Sequence, residues 1–394
     1  MNKISELPYY QTRELRGTIA GHALRVVTKP GFAGWEAIGA PTELLAEAVV
    51  SPPDARVAIF GCGHGALGAV LSRIVPRGRI VLLDPSAIAL AMAEQTLVAN
   101  GARNASVLDS ISLLPEQANS FDLVLIDLPQ SRQLARRWLA EAHTLLQVGG
   151  QLLLAGPNDQ GIQSVIDDAA ALFGNAGLVA YRKHCRVARA IRLEAPPDPP
   201  PWAQEPGIAP GTWHDIHLDL VGQSVVLASL PGVFAYDRLD DGTALLLAHM
   251  PNANGLRVLD AGCGNGIIGI AAALQGAAQI DMVDSDMLAI AAAHENSARY
   301  HVSGEVLAGD ALQLVASRRY DLIVSNPPFH AGKQVSYAAS EVFIRHGRTL
   351  LKRGGRQVLV ANRFIRYDRL LGEVFGQVET LADDRRYHVL IGRD

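Results

Sequence analysis

Cysteine is scarce. Cys62, Cys185 and Cys263 are the three in a chain of 394 residues. They are too few and too scattered for a disulfide framework or a zinc site, so a reduced, cytoplasmic protein with no metal is expected. No apolar run approaches the length of about 18 residues that a membrane span needs. The opening MNKISELPYYQTRELRG has no apolar core and does not read as a signal peptide. No charge sign dominates either: the net charge is −4, which by itself gives no hint of a nucleic-acid partner. What is present is globular. Hydrophobic residues make up 49% and charged residues 19%, which excludes a disordered chain. The length suggests two or three domains.

The charges are unevenly spread. Residues 196–330 hold 5 Lys/Arg against 15 Asp/Glu, and residues 331–394 hold 12 against 7. The basic end has two readings, a phosphate-binding surface or solvated helix faces.

Residues 194–211, EAPPDPPPWAQEPGIAPG, contain seven prolines. Proline lacks a backbone donor and fixes φ, so neither helix nor central strand can run through, and the stretch reads as a linker. The two sides of it repeat each other. ARVAIFGCGHGALGAVLSRI (55–74) and LRVLDAGCGNGIIGIAAALQ (256–275) both read as strand, glycine turn, small-residue helix. Each is followed by a strand ending in acid, at Asp84 and at Asp284. Then come FDLVLIDLPQ (121–130) and YDLIVSNPPF (320–329), each leading to a helix, a Gly-Gly turn and another strand. Alternating strands and helices at this spacing predict an α/β fold with doubly wound, mostly parallel sheets, duplicated in tandem. Expected domains are 1–193, a linker at 194–211, and 212–394. A β-hairpin is expected within 213–237, a strand near HALRVVTK and a helix near PTELLAEAVV.

The turn DAGCGNG (260–266) sits between a strand and a helix. Glycine at 262 and 264 lets backbone N–H groups and a helix N-terminus approach a polar ligand. G-x-G alone also fits nicotinamide and flavin sites. Three features favour S-adenosylmethionine. Asp260 can pair with a cationic amino group. The G-x-G-x-x-G spacing of dinucleotide folds is missing. Asp284 ends the next strand, where an acid meets ribose hydroxyls. Asp310 can accept from an adenine amino group. Candidate cofactor contacts are thus Asp260, Gly262, Cys263, Gly264, Asn265, Asp284, Ser285, Asp310, Ala311 and Asn326. The alternative is that these acids only cap helices. The first half keeps Gly61, Gly63, Gly65 and Asp84 but shows Phe60 where the second has Asp260. Its site is expected to be empty or altered, although its well-kept glycines leave ligand binding there open.

Asn326-Pro327-Pro328-Phe329 directly follows a strand, on the sheet edge where open α/β folds bind ligands. A planar exocyclic amine is a poor nucleophile. The Asn326 carbonyl and the Pro327 main-chain carbonyl can hold its hydrogens and aim its lone pair at a methyl carbon. The two prolines stiffen the loop, and Phe329 can stack on the ring that bears the amine. The first half has Asp127-Leu128-Pro129-Gln130 here, so only the second is expected to be catalytic. His330, Lys333, Arg345 and Arg348 are candidate RNA contacts, with helix-face charges as the competing reading.

LPGVFAYDRLDDGTALLL (230–247), VLDAGCGNGIIGI (258–270) and SNPPFHAG (325–332) resemble the bacterial tandem-domain ribosomal RNA guanine-N2 methyltransferases. Within that family the likeness is to the C-type methyltransferases that act on the small subunit, and the G-type methyltransferases of the large subunit are similar. It covers about 212–394 by motif, whereas 1–195 is similar in architecture only. The resemblance implies two class I, Rossmann-like methyltransferase domains, the first degenerate and concerned with folding and RNA binding. It also implies an S-adenosylmethionine-dependent transfer to a guanine N2 amine in ribosomal RNA or a ribosomal subunit, by a monomer without membrane contact. Transfer to adenine N6 or to a glutamine amide keeps the chemistry and changes the acceptor. A non-catalytic ribosome-assembly factor would predict loss of Asn326 or Asp260, and both are present. A Rossmann oxidoreductase leaves Asn-Pro-Pro-Phe unexplained.

Overall fold

The computed structural model describes residues 8–327 and 333–393, without the side chains of residue 311 and residues 333–340. The chain forms two compact units. One is residues 12–213; the other is residues 214–394 together with the segment up to Gln11.

The first unit opens with the hairpin β1 (Arg13–Ile19) and β2 (His22–Thr28), then α1 (Ala40–Ala48). The sheet follows: β3 (Arg56–Phe60), α2 (Ala66–Ile74), β4 (Arg79–Leu83), α3 (Ala87–Ala99), β5 (Ala105–Val107), β6 (Phe121–Asp127), α4 (Arg132–Leu145), β7 (Leu146–Pro157), α5 (Ile162–Phe173), β8 (Gly177–Arg182) and β9 (Cys185–Ile191). The second unit repeats the plan. The hairpin β10 (His214–Leu220) and β11 (Gln223–Ser229) precedes α6 (Asp241–His249). Then come β12 (Arg257–Ala261), α7 (Ile267–Leu274), β13 (Gln279–Asp284), α8 (Met287–Arg299), β14 (Val306–Ala308), β15 (Tyr320–Ser325), α9 (Lys333–Leu350), β16 (Leu351–Asn362), α10 (Tyr367–Val374), β17 (Gln377–Asp383) and β18 (Tyr387–Arg393). The strand orders are β5-β4-β3-β6-β7-β9-β8 and β14-β13-β12-β15-β16-β18-β17. Only β9 and β18 run against their neighbours, so the expected mostly parallel, doubly wound architecture is what forms.

Strand alternation builds the core of the second unit. Val258, Leu322, Val324 and Val358 pack with the hairpin and α6, while Leu259, Ile323 and Leu359 pack with α9 and α10. Side chains two apart share a face, so apolar strands are covered on both sides.

Two details depart from the expectations. The domain bounds shift: the Pro-rich stretch groups with the first unit instead of standing apart, and residues 8–11, expected in the first domain, group with the second. Trp202, Ala203 and Ile208 are buried. Arg137 donates to the Gly207 carbonyl at 2.6 Å, and Arg136 lies 5.1 Å from the Trp202 ring centroid. Proline keeps α-helix and central strand out of the stretch, which still forms a 3₁₀ turn at Pro201–Gln204 and packs. Second, strand register corrects the comparison of the two glycine turns. Ile59 pairs with Leu82 as Asp260 pairs with Met282, and Phe60 with Leu83 as Ala261 with Val283. Ile59, not Phe60, stands at the place of Asp260. A one-residue slip changes the face of the sheet, so the distinction is physical.

Candidate active site

A cavity of about 570 Å³ opens at the carboxyl edge of the second unit's sheet. That volume suits a small organic ligand. Its floor is the turn between β12 and α7. Gly262 and Gly264 adopt φ of +72° and +55°, the left-handed region that favours glycine. A Cβ on Gly264 would meet nothing within 4 Å, and one on Gly262 only the Ser325 hydroxyl at 4.0 Å. The cradle is open on its ligand side. Cys263 and Asn265 also line it. Burial, then the charge of Asp284, pushes the Cys263 thiol well above its ordinary value.

Asp284 and Ser285 close one side of the cavity. Asp284 accepts from Gly264 N–H at 2.9 Å and Asp286 N–H at 3.0 Å. Burial raises its carboxyl despite those bonds. A carboxylate has about four acceptor positions, so capacity remains for ligand hydroxyls. Asp310 lies on the cavity wall, where its carboxylate accepts from the Tyr9 hydroxyl at 3.0 Å. Tyr9 and Tyr10, stacked edge to face at 5.1 Å, are also part of the wall. Sequence reasoning missed them, since nothing local links Tyr9 to a partner 301 residues on.

Asp260 is placed differently from its expected role. It is fully buried and does not line the cavity. One oxygen accepts from Gly269 N–H in α7 at 2.8 Å; the other is buried without a hydrogen-bond partner. Burial, reinforced by nearby Asp284, pushes the carboxyl up to about 7. An acid left short of partners directly beneath the turn favours a cation above it. Together with the open glycine cradle, it fits the sulfonium and ammonium charges of S-adenosylmethionine.

Asn326 and Pro327 line the cavity at the end of β15. The Asn326 amide nitrogen donates to Thr243 Oγ1 at 2.8 Å and to Asp240 Oδ2 at 3.2 Å. With both hydrogens committed, what Asn326 offers a ligand is its carbonyl oxygen. Ser325 donates to the Ala261 carbonyl at 2.6 Å, tying β15 to the end of β12. Pro328, Phe329 and His330 lie outside the described residues, as do the side chains of Ala311 and Lys333.

The same position differs in the first unit. Asp84 still accepts from Gly63 N–H and Ser86 N–H, both at 2.8 Å. A Cβ on Gly61, however, would meet the Asp127 carbonyl at 2.8 Å and the Trp138 ring at 3.4 Å. Trp138 is buried against Phe60, with ring centroids 5.7 Å apart. Counted back from the start of β7 and of β16, Trp138 answers to Phe343, which lines the cavity in the second unit. The larger indole fills the space over the glycine. The GCGHG glycines also serve the backbone: a Cβ on Gly65 would come within 2.7 Å of Ala93 Cα. Packing thus accounts for Gly61 and Gly65, whereas a Cβ on Gly63 would meet nothing within 4 Å.

Of the predicted basic contacts, Arg345 and Arg348 do not line the cavity. Arg345 pairs with Glu341 and Glu373, each at 2.8 Å, and Arg348 lies over the Phe375 ring at 5.8 Å. At 1.5 Å per residue they stand roughly 18 and 22 Å along α9 from its start. Among the described residues, no group of His, Cys, Asp or Glu could hold a metal ion, and no helix is long and apolar enough to cross a membrane.

Comparison with known proteins agrees with this geometry. The methyltransferase small domain family matches residues 23–189 and again 224–391. The chain is 37% identical over 267 residues to the ribosomal RNA small subunit methyltransferase C of Chromohalobacter salexigens, covering 66% of this chain and 75% of that one. It is 34% identical over 277 residues to the Pseudomonas entomophila protein of the same name, covering 70% and 80%. Among solved structures it resembles a T. thermophilus 16S rRNA N2 methyltransferase in complex with AdoMet and guanosine. There the TM-score is 0.77 at 26% identity, over 98% of this chain and 99% of that one. This chain therefore belongs to the ribosomal RNA small subunit methyltransferase C family, as a tandem of two methyltransferase small domains.

Proposed function

We propose that the second unit transfers a methyl group from S-adenosylmethionine to the exocyclic N2 amine of a guanine in small-subunit ribosomal RNA. The protein does so as a cytoplasmic monomer, with the first unit as a non-catalytic copy. The carrying observation is the Asn326 amide, held with both hydrogens engaged at the wall of a glycine-floored cavity. S-adenosylmethionine supplies an electrophilic methyl on a sulfonium; the residues supply orientation. Gly262, Cys263, Gly264 and Asn265 cradle the amino-acid end, and Asp284 and Ser285 meet the ribose. Asp310 and Ala311 lie at the adenine. The Asn326 and Pro327 carbonyls accept the N2 hydrogens and turn the lone pair toward the methyl carbon. Pro328 stiffens this loop and Phe329 supplies the ring on which the base stacks. No strong base is needed, because the proton is lost late, after nitrogen has gained charge. The guanine must be unpaired or flipped, since its amino edge is occupied in a duplex.

The direct test is incubation with labelled S-adenosylmethionine and small ribosomal subunits or their naked RNA, then digestion to nucleosides. N2-methylguanosine is expected. Label in N6-methyladenosine, or in protein alone, would contradict the assignment.

Asp260 gives a pH prediction. Its folded value of about 7 exceeds the roughly 4 of an unfolded carboxyl. The folded state thus holds the proton more tightly, and the stability this gives is lost as pH rises through about 7. A cation above the turn relieves the charged form. Thermal stabilisation by S-adenosylmethionine is therefore expected to grow as pH rises to about 7 and to level off above it, and to grow less in Asp260→Asn, where Asp284 is left to respond. Equal growth in both proteins would remove Asp260 from the electrostatics of binding.

A further inference from the structure

We infer that Asp240 and Thr243 form a polar latch that fixes which face of the Asn326 amide meets the acceptor amine. Asp240 and Thr243 are thus positioning residues for methyl transfer. The inference rests on the reading of Asn326 given above.

The hydrogen bonds have a direction that can be derived. Asp240 Oδ2 accepts from Thr243 N–H at 2.9 Å, from the Thr243 hydroxyl at 3.3 Å and from Asn326 Nδ2 at 3.2 Å. A carboxylate only accepts, so the amide edge facing it must be the NH₂. The threonine hydroxyl gives its hydrogen to Asp240 and therefore accepts from Asn326, at 2.8 Å. The order amide, hydroxyl, carboxylate permits one orientation of Asn326. An unlatched amide can turn over at little cost, because its two ends are nearly the same size. The turned form would present N–H hydrogens to an amine whose own hydrogens need an acceptor. Orientation of this kind acts on the reacting geometry and leaves cofactor affinity untouched.

The other copy within the chain is an independent comparison. Between α1 and β3, and between α6 and β12, the two units align without a gap. Gly39 answers to Asp240, Thr42 to Thr243, and Asp127 to Asn326. There Thr42 donates to Asp127 Oδ2 at 3.3 Å. A carboxylate at 127 has no hydrogens to give, and an acid at position 39 would only repel it. The acid and the amide occur together in one copy and are both missing from the other. Asp240 also caps α6, whereas Gly39 precedes α1 with no side-chain cap; what capping leaves over is the additional donation from Asn326 to the same oxygen at 3.2 Å.

The test compares Asp240→Gly and Thr243→Val with the native protein, alone and in an Asn326→Ala background. Asparagine would keep an acceptor oxygen in the same place, whereas glycine removes it, costs little at an N-cap and is the residue that stands at position 39. Each single variant is expected to lower kcat at least tenfold, with the Kd for S-adenosylmethionine within about twofold and Thr243→Ser restoring most of the rate. In Asn326→Ala the same changes are expected to cost less than twofold, because nothing remains to position. Full kcat in Asp240→Gly, or losses that multiply in the double variants, would overturn the latch alone. Native turnover in Asn326→Ala would overturn both the latch and the catalytic reading beneath it.

Discussion

Asn326→Ala is expected to lower methyl transfer about 10²- to 10³-fold, the usual cost of removing one oriented electrostatic partner from a reacting centre. Its Kd for S-adenosylmethionine should stay within about threefold, because the glycine turn and the acids at the ends of the strands are untouched. The distinction follows from position. Asn326 directly follows β15, across the cavity wall from the turn that follows β12, and β12 and β15 are adjacent parallel strands. The proposed cofactor contacts and the proposed acceptor contacts thus come from different strands of one edge. Single-turnover rates with saturating cofactor, set beside calorimetric Kd values, separate the two. A loss carried wholly by cofactor affinity would place Asn326 in binding, not chemistry.

Gly262→Ala and Gly61→Ala should fail in different ways although the positions are equivalent. Both glycines hold φ near +70°, so each substitution carries roughly 1–2 kcal/mol of backbone strain. At Gly262 the added methyl enters open space on the ligand side. Cofactor affinity should drop by more than tenfold while the melting temperature falls modestly. At Gly61 the methyl would lie 2.8 Å from the Asp127 carbonyl and against Trp138. There the protein should lose stability and, once folded, bind cofactor as before. Equal loss of cofactor affinity in both would mean that the first unit also binds.

The repeat, the strand-turn-helix pattern and the sheet edge of the site could be read in the chain because each rests on local residues. Apolar runs of strand length, glycine turns and strand-ending acids are visible in order. The convergences could not be read. Asn326 meets Thr243 and Asp240 across 83 and 86 positions, and no spacing rule couples them. Trp138, on a helix at apolar spacing, looks like any core residue, and only the fold shows that it occupies the glycine cradle. The offset between Ile59 and Phe60 is legible once the two turns are aligned on their glycines: Ile59 stands two residues before Gly61, as Asp260 does before Gly262. The partners of Arg345 could not be read either: a list of charges omits them, and Glu373 arrives from another helix.

The central claim is that of two similar folds, only the second holds a working site. Calorimetric titration of the intact chain with S-adenosylmethionine tests this most directly. The expected result is one molecule bound per chain, with binding lost in Gly262→Ala and kept in folded Gly61→Ala. Two molecules per chain, or one that survives Gly262→Ala unchanged, would contradict it.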